Sequence, residues 1–573
     1  MRGERIAEAI EQFRLAVQVA PQAAGFHMNL GYALLREGLA AEALKSLEHA
    51  ARLAPQSAET AFYAGLAHRA NRDFAGAERA MRRALELAPA FEAARHELHK
   101  LLVESGRIEE AEAVLPPVSP GKRLRRALTR VPPIAVSAAQ IAAVRHALET
   151  ELDALAAEAP RIADPRGEVD ATTFYLSYHG LPNRELNEKL ARLYLAAHPG
   201  LAWTAPHSPH RSERLRIGII SRYLYEHSIG RTTRGLVAML DRKRYELTAI
   251  FIPPVPGDEY SRSIAASAER TLILPSTLAG ARTAIAQLEL DVLFYQDIGM
   301  DPFTYFLAFA RLAPVQCVSF GHPDTSGIPS LDWYISLERF EPKGAEAQYS
   351  ERLWRIPEVG NLAYYYHPAR DFNPPSRQEL GLPTTARLYT CPQALQKLHP
   401  DFDRLLAEIL RRDGGARLVL IALGHPAWPP LLMERLRKSM PDVFDRILML
   451  PPMKHDRFLG VLAASDVVLD TPQFNGYNSS LEAFAVGTPI VTLPGPLQRM
   501  RHTAGMYGAM GIDGLCASSS EEYVRLALET AHEPERRVAY SRRIRERESA
   551  LFEDSRVVRG YEAFFETAPH RSK

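Results

Sequence analysis

The stretch Leu469-Asp-Thr-Pro-Gln-Phe-Asn-Gly-Tyr-Asn-Ser-Ser-Leu-Glu-Ala483 gathers small amide and hydroxyl side chains where a helix should begin. Val467–Asp470 reads as a strand, a polar glycine-containing loop follows, and a helix starts near Asn478. The first amides of a helix lack intrahelical acceptors and sit at the positive end of its dipole. Asn478, Ser479 and Ser480 therefore suit a diphosphate. Glu482, one turn in, is placed to accept hydrogen bonds from a ribose diol. The same residues also suit plain N-capping, with Glu482 favourable to the dipole, and composition alone does not choose. Asp401-Phe402-Asp403 spells a DxD metal motif, but it follows Pro400 at a helix start, where acids are favoured anyway, so a structural role is expected. The three cysteines, Cys317, Cys391 and Cys516, are far apart and show neither a disulfide framework nor zinc spacing, which fits a reducing compartment. No GxGxxG follows a first strand and no Walker loop is present, which disfavours a dehydrogenase or a P-loop NTPase.

These residues need strands behind them. Arg214–Ser221 reads as a buried parallel strand ending in a small-residue turn. Strand-like runs at 245–252, 271–274, 292–295 and 315–320 then alternate with helix-like ones. A second alternating set runs from Leu388 through 417–422, 447–450, 467–470 and 490–493. Such alternation predicts two doubly wound lobes, each with a parallel sheet covered by helices. Ligands bind outside the carboxyl ends of such strands, so facing lobes would form a cleft.

The first hundred residues carry a repeat. Ala-Pro pairs recur at Ala20–Pro21, Ala54–Pro55 and Ala88–Pro89, a step of 34 residues, shared by Ala9, Ala43, Ala77 and Ala111 and by Gly31 and Gly65. Small residues at fixed phase let helices pack closely and proline closes each unit. The pattern resembles tetratricopeptide repeats over about residues 1–115. Such a stack usually offers a groove to a protein or peptide, or else serves as a docking shim. From Pro116 the pattern breaks into Pro-Pro-Val-Ser-Pro-Gly, the basic run Lys122–Arg126 and Pro132-Pro133, a solvated linker by composition. Helical periodicity at 136–158, the aromatic stretch Phe174–Tyr178 and an amphipathic run at 183–197 make 134–205 a helical connector. Over all 573 residues the formal charge is +1, which gives no sign of a nucleic-acid partner. The charged, helically periodic N-terminus is unlike a signal peptide, and no apolar run is long enough to span a membrane, so a cytoplasmic protein is expected.

Leu469–Gly495, Ala313–Cys317 leading to Gly321-His-Pro-Asp-Thr-Ser-Gly327, Asp332-Trp-Tyr, and Arg214-Leu-Arg-Ile-Gly with its following histidine resemble the protein O-GlcNAc transferase and SPINDLY family. The likeness covers roughly residues 206–565. It implies an α + α/β chain: an N-terminal tetratricopeptide solenoid followed by two Rossmann-like lobes in a GT-B arrangement. The expected division is repeats over 1–115, linker and helical connector over 116–205, an acceptor-side lobe over 206–369, a nucleotide-sugar lobe over 370–550, and a C-terminal helix and tail over 551–573. The resemblance further implies a metal-independent, inverting hexosyltransferase acting on protein Ser/Thr hydroxyls. UDP-GlcNAc is the first-choice donor, with no cofactor beyond the nucleotide-sugar. Lys397 matches a lysine on the donor diphosphate, and Phe458 stands where a ring covers the uracil. Gln393, Met453, Tyr477, Asn478, Ser479, Ser480 and Glu482 complete the donor set. His227 matches a sugar-facing histidine, a candidate base or positioning group, and His322, Asp324 and Thr325 are expected on the acceptor side of the cleft. Ala394 and Tyr477 depart from the glutamine and histidine of the GlcNAc enzymes, which leaves UDP-glucose, GDP-fucose or a nonulosonic-acid donor open. A glycan or flagellin-type acceptor, or a non-catalytic adaptor with degenerate lobes, are the other readings.

Overall fold

The computed structural model describes residues 2–115, 118–206 and 213–571. Its first fifth is a stack of helical hairpins: Ala24–Arg36 with Ala40–Leu53, Ala58–Ala70 with Phe74–Leu87, and Glu92–Glu104 with Ile108–Val114, preceded by Arg2–Val19. The 34-residue alanine series explains the stacking, since Ala43, Ala77 and Ala111 are all fully buried. A side chain on Gly31 would stand 2.4 Å from Leu47 Cγ, so glycine is what lets the two helices of that hairpin close.

The solvated linker expected after residue 116 is corrected by the structure. Pro116 and Pro117 lie outside the described residues, but Pro120–Thr129 is a helix capped by the Ser119 hydroxyl on the Lys122 amide. Proline is well tolerated at a first helical position, so the Pro-Gly pair starts a helix here. Arg125, from the basic run, is buried and donates to the Val169 and Gly167 carbonyls, both at 2.7 Å. The long helix Ala138–Glu158 and the helix Arg184–Ala197 follow, with the aromatic turn Phe174–His179 between them.

The first lobe holds β1 (Leu215–Ser221), β2 (Tyr245–Phe251), β3 (Arg270–Ile273), β4 (Val292–Tyr295), β5 (Val315–Ser319), β6 (Trp333–Leu337) and β7 (Arg352–Ile356), in the order β3-β2-β1-β4-β5-β6-β7. The second holds β8 (Arg387–Cys391), β9 (Ala416–Ile421), β10 (Ile447–Leu450), β11 (Val467–Leu469) and β12 (Ile490–Val491), in the order β10-β9-β8-β11-β12. All neighbours are parallel. The order reverses between β1 and β4 in one sheet and between β8 and β11 in the other. A crevice therefore opens beyond the carboxyl ends of those strands in each lobe. The final helix, Ser555–Arg571, returns to the first lobe, where Phe564 and Phe565 pack edge-on against Trp333 and Phe294.

The repeat stack touches both lobes. Gly38, at φ +83°, abuts Pro256 of the first lobe so closely that a Cβ would stand 3.0 Å from its Cα. On the second lobe Arg72 donates to the Gly424 carbonyl (2.7 Å), Phe74 packs on His425 (4.2 Å between ring centres), and the Trp428 indole donates to the Glu104 carbonyl (2.7 Å). No described helix is long and apolar enough to cross a membrane.

Candidate active site

The two crevices face one another and merge into a cavity of about 400 Å³. The loop after β1 and the helix Ser228–Met239 bring His227, Ser228, Arg231 and Thr232, and the loops after β4 and β5 bring Met300, Phe320 and His322. From the second lobe come Gln393 and Lys397 after β8, Leu423 after β9, Phe458, and Phe474 to Glu482 around the loop after β11. The connector also reaches in. Phe174 and Tyr178 form part of the wall, with Tyr178 stacked on Phe474 at 4.7 Å, so this segment is more than a connection between domains.

Lys397 is the cation of the second-lobe wall. Its Nζ donates to the Asn475 carbonyl (2.9 Å) and to Gln393 Oε1 (3.1 Å), and lies 4.6 Å from the centre of the Phe474 ring. Gln393 in turn donates to Ser479 Oγ at 2.8 Å, which ties the ammonium to the start of the helix Asn478–Ala485. Gly476 makes this convergence possible. A Cβ there would stand 2.5 Å from Gln393 Nε2 and 2.6 Å from both the Ser479 and Ser480 hydroxyls. Burial lowers the Lys397 pKa to about 8 against the attraction of Asp470, and burial raises Asp470 to about 6. The cavity thus presents a desolvated cation beside a helix N-terminus, an arrangement that gains from a bound anion.

Glu482 spans the cleft. Its Oε1 accepts from Arg231 Nη1 of the first lobe (2.7 Å) and lies 2.8 Å from His455 Nε2, on the helix that also carries Phe458. His227 caps the helix Ser228–Met239, its Nδ1 accepting from the Ile229 amide at 3.2 Å. A neutral ring with Nδ1 so engaged carries its proton on Nε2 and presents a donor. Burial, helped by Arg231, lowers its pKa to about 4, and Tyr223 stacks on it at 4.5 Å. Gly230 seats this helix on its own loop, since a Cβ there would collide with the Tyr225 carbonyl.

The structure brings His227, His322, Gln393, Lys397, Phe458, Tyr477, Asn478, Ser479 and Glu482 onto one cavity. Four expected residues lie elsewhere. Met453 packs in the apolar cluster of Leu380, Leu382 and Val461. Ser480 points inward to Thr503 Oγ1 (2.9 Å), because it falls on the core side of its helix. Asp324 is held by Ser177 (2.8 Å), Asn183 (2.5 Å) and the Arg499 guanidinium (3.3 Å), and Thr325 by Glu351 (2.7 Å), so both serve the junction behind the cleft. Tyr477 lines the cavity with its ring only, its hydroxyl being engaged by the Leu362 amide (2.8 Å) and Asn361. Arg231, His455, His502, Phe174, Tyr178 and Phe474 carry no local motif. Only the tertiary fold places Arg231 opposite Glu482. Asp403 of the DxD motif is ion-paired with Arg435 at 2.8 Å, both side chains being buried. Among the described residues no group of three or more His, Cys, Asp or Glu side chains is placed to hold a metal ion.

Residues 368–560 match the profile of glycosyl transferase family 41, and residues 24–57 and 68–130 match tetratricopeptide-repeat profiles. Over 325 residues, 56% of this chain, it is 24% identical to the Arabidopsis thaliana protein named "Probable UDP-N-acetylglucosamine--peptide N-acetylglucosaminyltransferase SEC". A rice (Oryza sativa subsp. japonica) protein named "Probable UDP-N-acetylglucosamine--peptide N-acetylglucosaminyltransferase SPINDLY" is 26% identical over 235 residues, 39% of this chain. The second lobe thus matches glycosyl transferase family 41, and the chain is similar to the SEC and SPINDLY proteins over part of its length. It spans about a third of the length of the SEC protein and a quarter of the rice one, 33% and 24%. A mutant of the Thermobaculum terrenum O-GlcNAc transferase shares the fold end to end: TM-score 0.68 at 23% identity, covering 99% of this chain and 98% of that one. Within the family module, the loop after β11 and the Lys397 turn both fall inside the family 41 match, whereas His227 and Arg231 lie outside it.

Proposed function

We propose that the protein is an inverting glycosyltransferase that moves a hexose, GlcNAc from UDP-GlcNAc as first choice, onto Ser/Thr hydroxyls of protein acceptors without a metal. The observation that carries the proposal is the convergence of Lys397, Gln393 and the Asn478–Ala485 helix start on one interlobe cavity. The names of the SEC and SPINDLY relatives, which specify UDP-N-acetylglucosamine and a peptide, favour this donor and acceptor class.

In this mechanism the nucleotide diphosphate lies against the helix start and the Lys397 ammonium. The acceptor hydroxyl oxygen attacks the anomeric carbon from the face opposite the diphosphate, and its proton passes through water to an oxygen of the departing diphosphate. The bond to the diphosphate breaks with its electron pair leaving on the phosphate oxygen, and Lys397 stabilises the charge that develops there. Glu482 accepts from the ribose and Phe458 covers the base. His227, with its proton on Nε2, orients a sugar or acceptor hydroxyl as a donor; its Nδ1 engagement argues against proton removal by this ring. Walls from both lobes and from the connector exclude water and limit donor hydrolysis. The repeat stack offers the surface for the acceptor polypeptide.

The test is a thermal-shift screen of the full chain against UDP, GDP and CMP sugars, followed by transfer from the stabilising donor to peptide mixtures read by mass spectrometry. Stabilisation by UDP-GlcNAc with a hexosamine mass added to peptide supports the proposal. Stabilisation by a CMP-sugar alone discards the UDP assignment, and no stabilisation by any nucleotide discards the enzyme.

A further inference from the structure

We propose that His502 is a hydrogen-bond donor to the diphosphate of the nucleotide ligand, a contact that rests on the nucleotide-sugar reading of the cleft. His502 opens the helix His502–Met510 and is 1% exposed, yet its ring lines the interlobe cavity. Among the described residues neither ring nitrogen has a hydrogen-bond partner. What holds the ring is aromatic: it stands edge-on to Tyr477 at 5.2 Å and to Phe340 at 5.0 Å. Leaving a buried polar group unpaired is unfavourable, so an imidazole fixed in this way is completed by something that enters the cavity.

Two observations select an anion. Burial, with the nearby Lys397 and Arg499 charges adding to it, lowers the His502 pKa to about 3, so the ring is neutral. A neutral N–H and an ammonium therefore face one space. In addition, the neighbouring Thr503 bonds Ser480 Oγ at 2.9 Å, which locks this helix start to that of Asn478–Ala485. His502 thus stands beside the amides that suit a phosphate, and three kinds of donor converge: backbone amides, a primary ammonium and an imidazole N–H. A neutral imidazole donates without adding a second full charge beside Lys397, and the aromatic collar fixes its direction.

The experiment is calorimetric titration of the full chain and its His502→Leu, His502→Asn and His502→Gln variants with UDP, UDP-GlcNAc, uridine and inorganic pyrophosphate. Gln reaches the position of the distal imidazole nitrogen; Asn, folded but too short, controls for damage by Leu. The expected result is UDP affinity weakened roughly 10- to 100-fold in H502L and H502N, restored to within about 3-fold in H502Q, with uridine binding unchanged in all. Equal UDP affinity in all four proteins overturns the role of His502 and leaves the nucleotide reading standing. A loss for uridine as large as for UDP overturns it as well, since that loss reports structural damage. Unchanged UDP affinity with weakened UDP-GlcNAc affinity assigns the ring to a sugar hydroxyl and refutes the phosphate contact. A wild-type chain that binds neither UDP nor pyrophosphate refutes the nucleotide reading, and this inference with it.

Discussion

The strongest handle on the site is the titration of Lys397. Its pKa is lowered from the ordinary 10.5 to about 8 because the ammonium is buried. A bound diphosphate offers the missing counter-charge and brings the pKa back toward its ordinary value. Below pH 8 the lysine is charged in both states, so affinity does not depend on its proton. Above pH 8 the free protein has lost that proton and binding must restore it, so affinity falls as pH rises. With a free-state pKa of about 8, only about one molecule in eleven is charged at pH 9, which weakens UDP roughly 10-fold relative to pH 7. The assay is UDP titration by calorimetry at pH 7, 8 and 9 on wild type, Lys397→Met and Lys397→Arg. The uracil's own ionisation enters all three proteins equally and cancels in the comparison. Lys397→Met should bind UDP more weakly by about 2–3 kcal/mol at pH 7 for a lost charge-assisted contact, a deficit that narrows by about 1.4 kcal/mol at pH 9 because the variant has no extra slope above pH 8. Lys397→Arg should keep the charge and also lose the slope. A wild-type affinity flat to pH 9, or a slope identical in the methionine variant, would refute a desolvated cation as the diphosphate anchor.

Glu482→Gln should weaken UDP about 10-fold and, more tellingly, erase the preference of the wild type for UDP over 2′-deoxy-UDP, measured in the same titrations. Asp403→Asn should destabilise the fold by roughly 3–5 kcal/mol in chemical denaturation, because it strips the buried Arg435 of its counter-charge, while EDTA leaves UDP affinity unchanged in both proteins. Trp428→Ala empties a buried site and removes the bond to the Glu104 carbonyl, a loss of roughly 3–5 kcal/mol in the docking of the repeats. It should appear as faster release of the repeat stack by limited proteolysis with an unchanged far-ultraviolet spectrum.

Most strands were legible because they are short runs rich in apolar and β-branched residues that alternate with helical stretches, as in β4 (VLFY) and β9 (ARLVLI); even the exposed edge strand β3 was found by that alternation. The last two strands of the first sheet were not. β7 is an edge strand with two arginines in five residues, and β6 carries Ser336 to meet Gln498 from the other lobe. Only β7 lacks the pattern of a buried parallel strand; β6, WYISL, is buried throughout, and its run was too short to stand out beside the loop that precedes it. The repeat step of 34 was plain because every hairpin must bury the same small residue against its neighbour. At the site, Lys397 and the start of the Asn478–Ala485 helix were readable, since each is a local feature with local context. Asp324 and Thr325 were misplaced for the same reason. They sit in the right loop, but their neighbours in space, Arg499 and Glu351, decide which way they turn. The residues that complete the cavity from a distance, Arg231, His502, Phe174 and Tyr178, have no signature a single sequence could carry.

The contacts between lobes constrain how a donor can enter. Behind the cleft, Arg499 and Gln498 of the second lobe insert into the first: Arg499 pairs with Asp324 and donates to the Leu181 carbonyl, and Gln498 meets Tyr334 and Ser336. Tyr477 bonds the crossover segment at Leu362, and its ring packs on Phe320 of the first lobe at 4.5 Å. The repeat stack then touches both lobes from outside, at Pro256 and at Gly424 to Trp428. Opening the lobes as rigid bodies would expose the buried Arg499–Asp324 pair, which alone costs several kcal/mol. The Arg231–Glu482 bridge is different: it lies on the cavity wall, with the Arg231 side chain 20% exposed, and the carboxylate it holds is the one a ribose would meet. Breaking it trades one polar partner for another at little net cost. On the proposed nucleotide-sugar reading, entry and release would run through exchange at Glu482 and local side-chain movement, with the lobes held in place by the junction behind and the repeats outside.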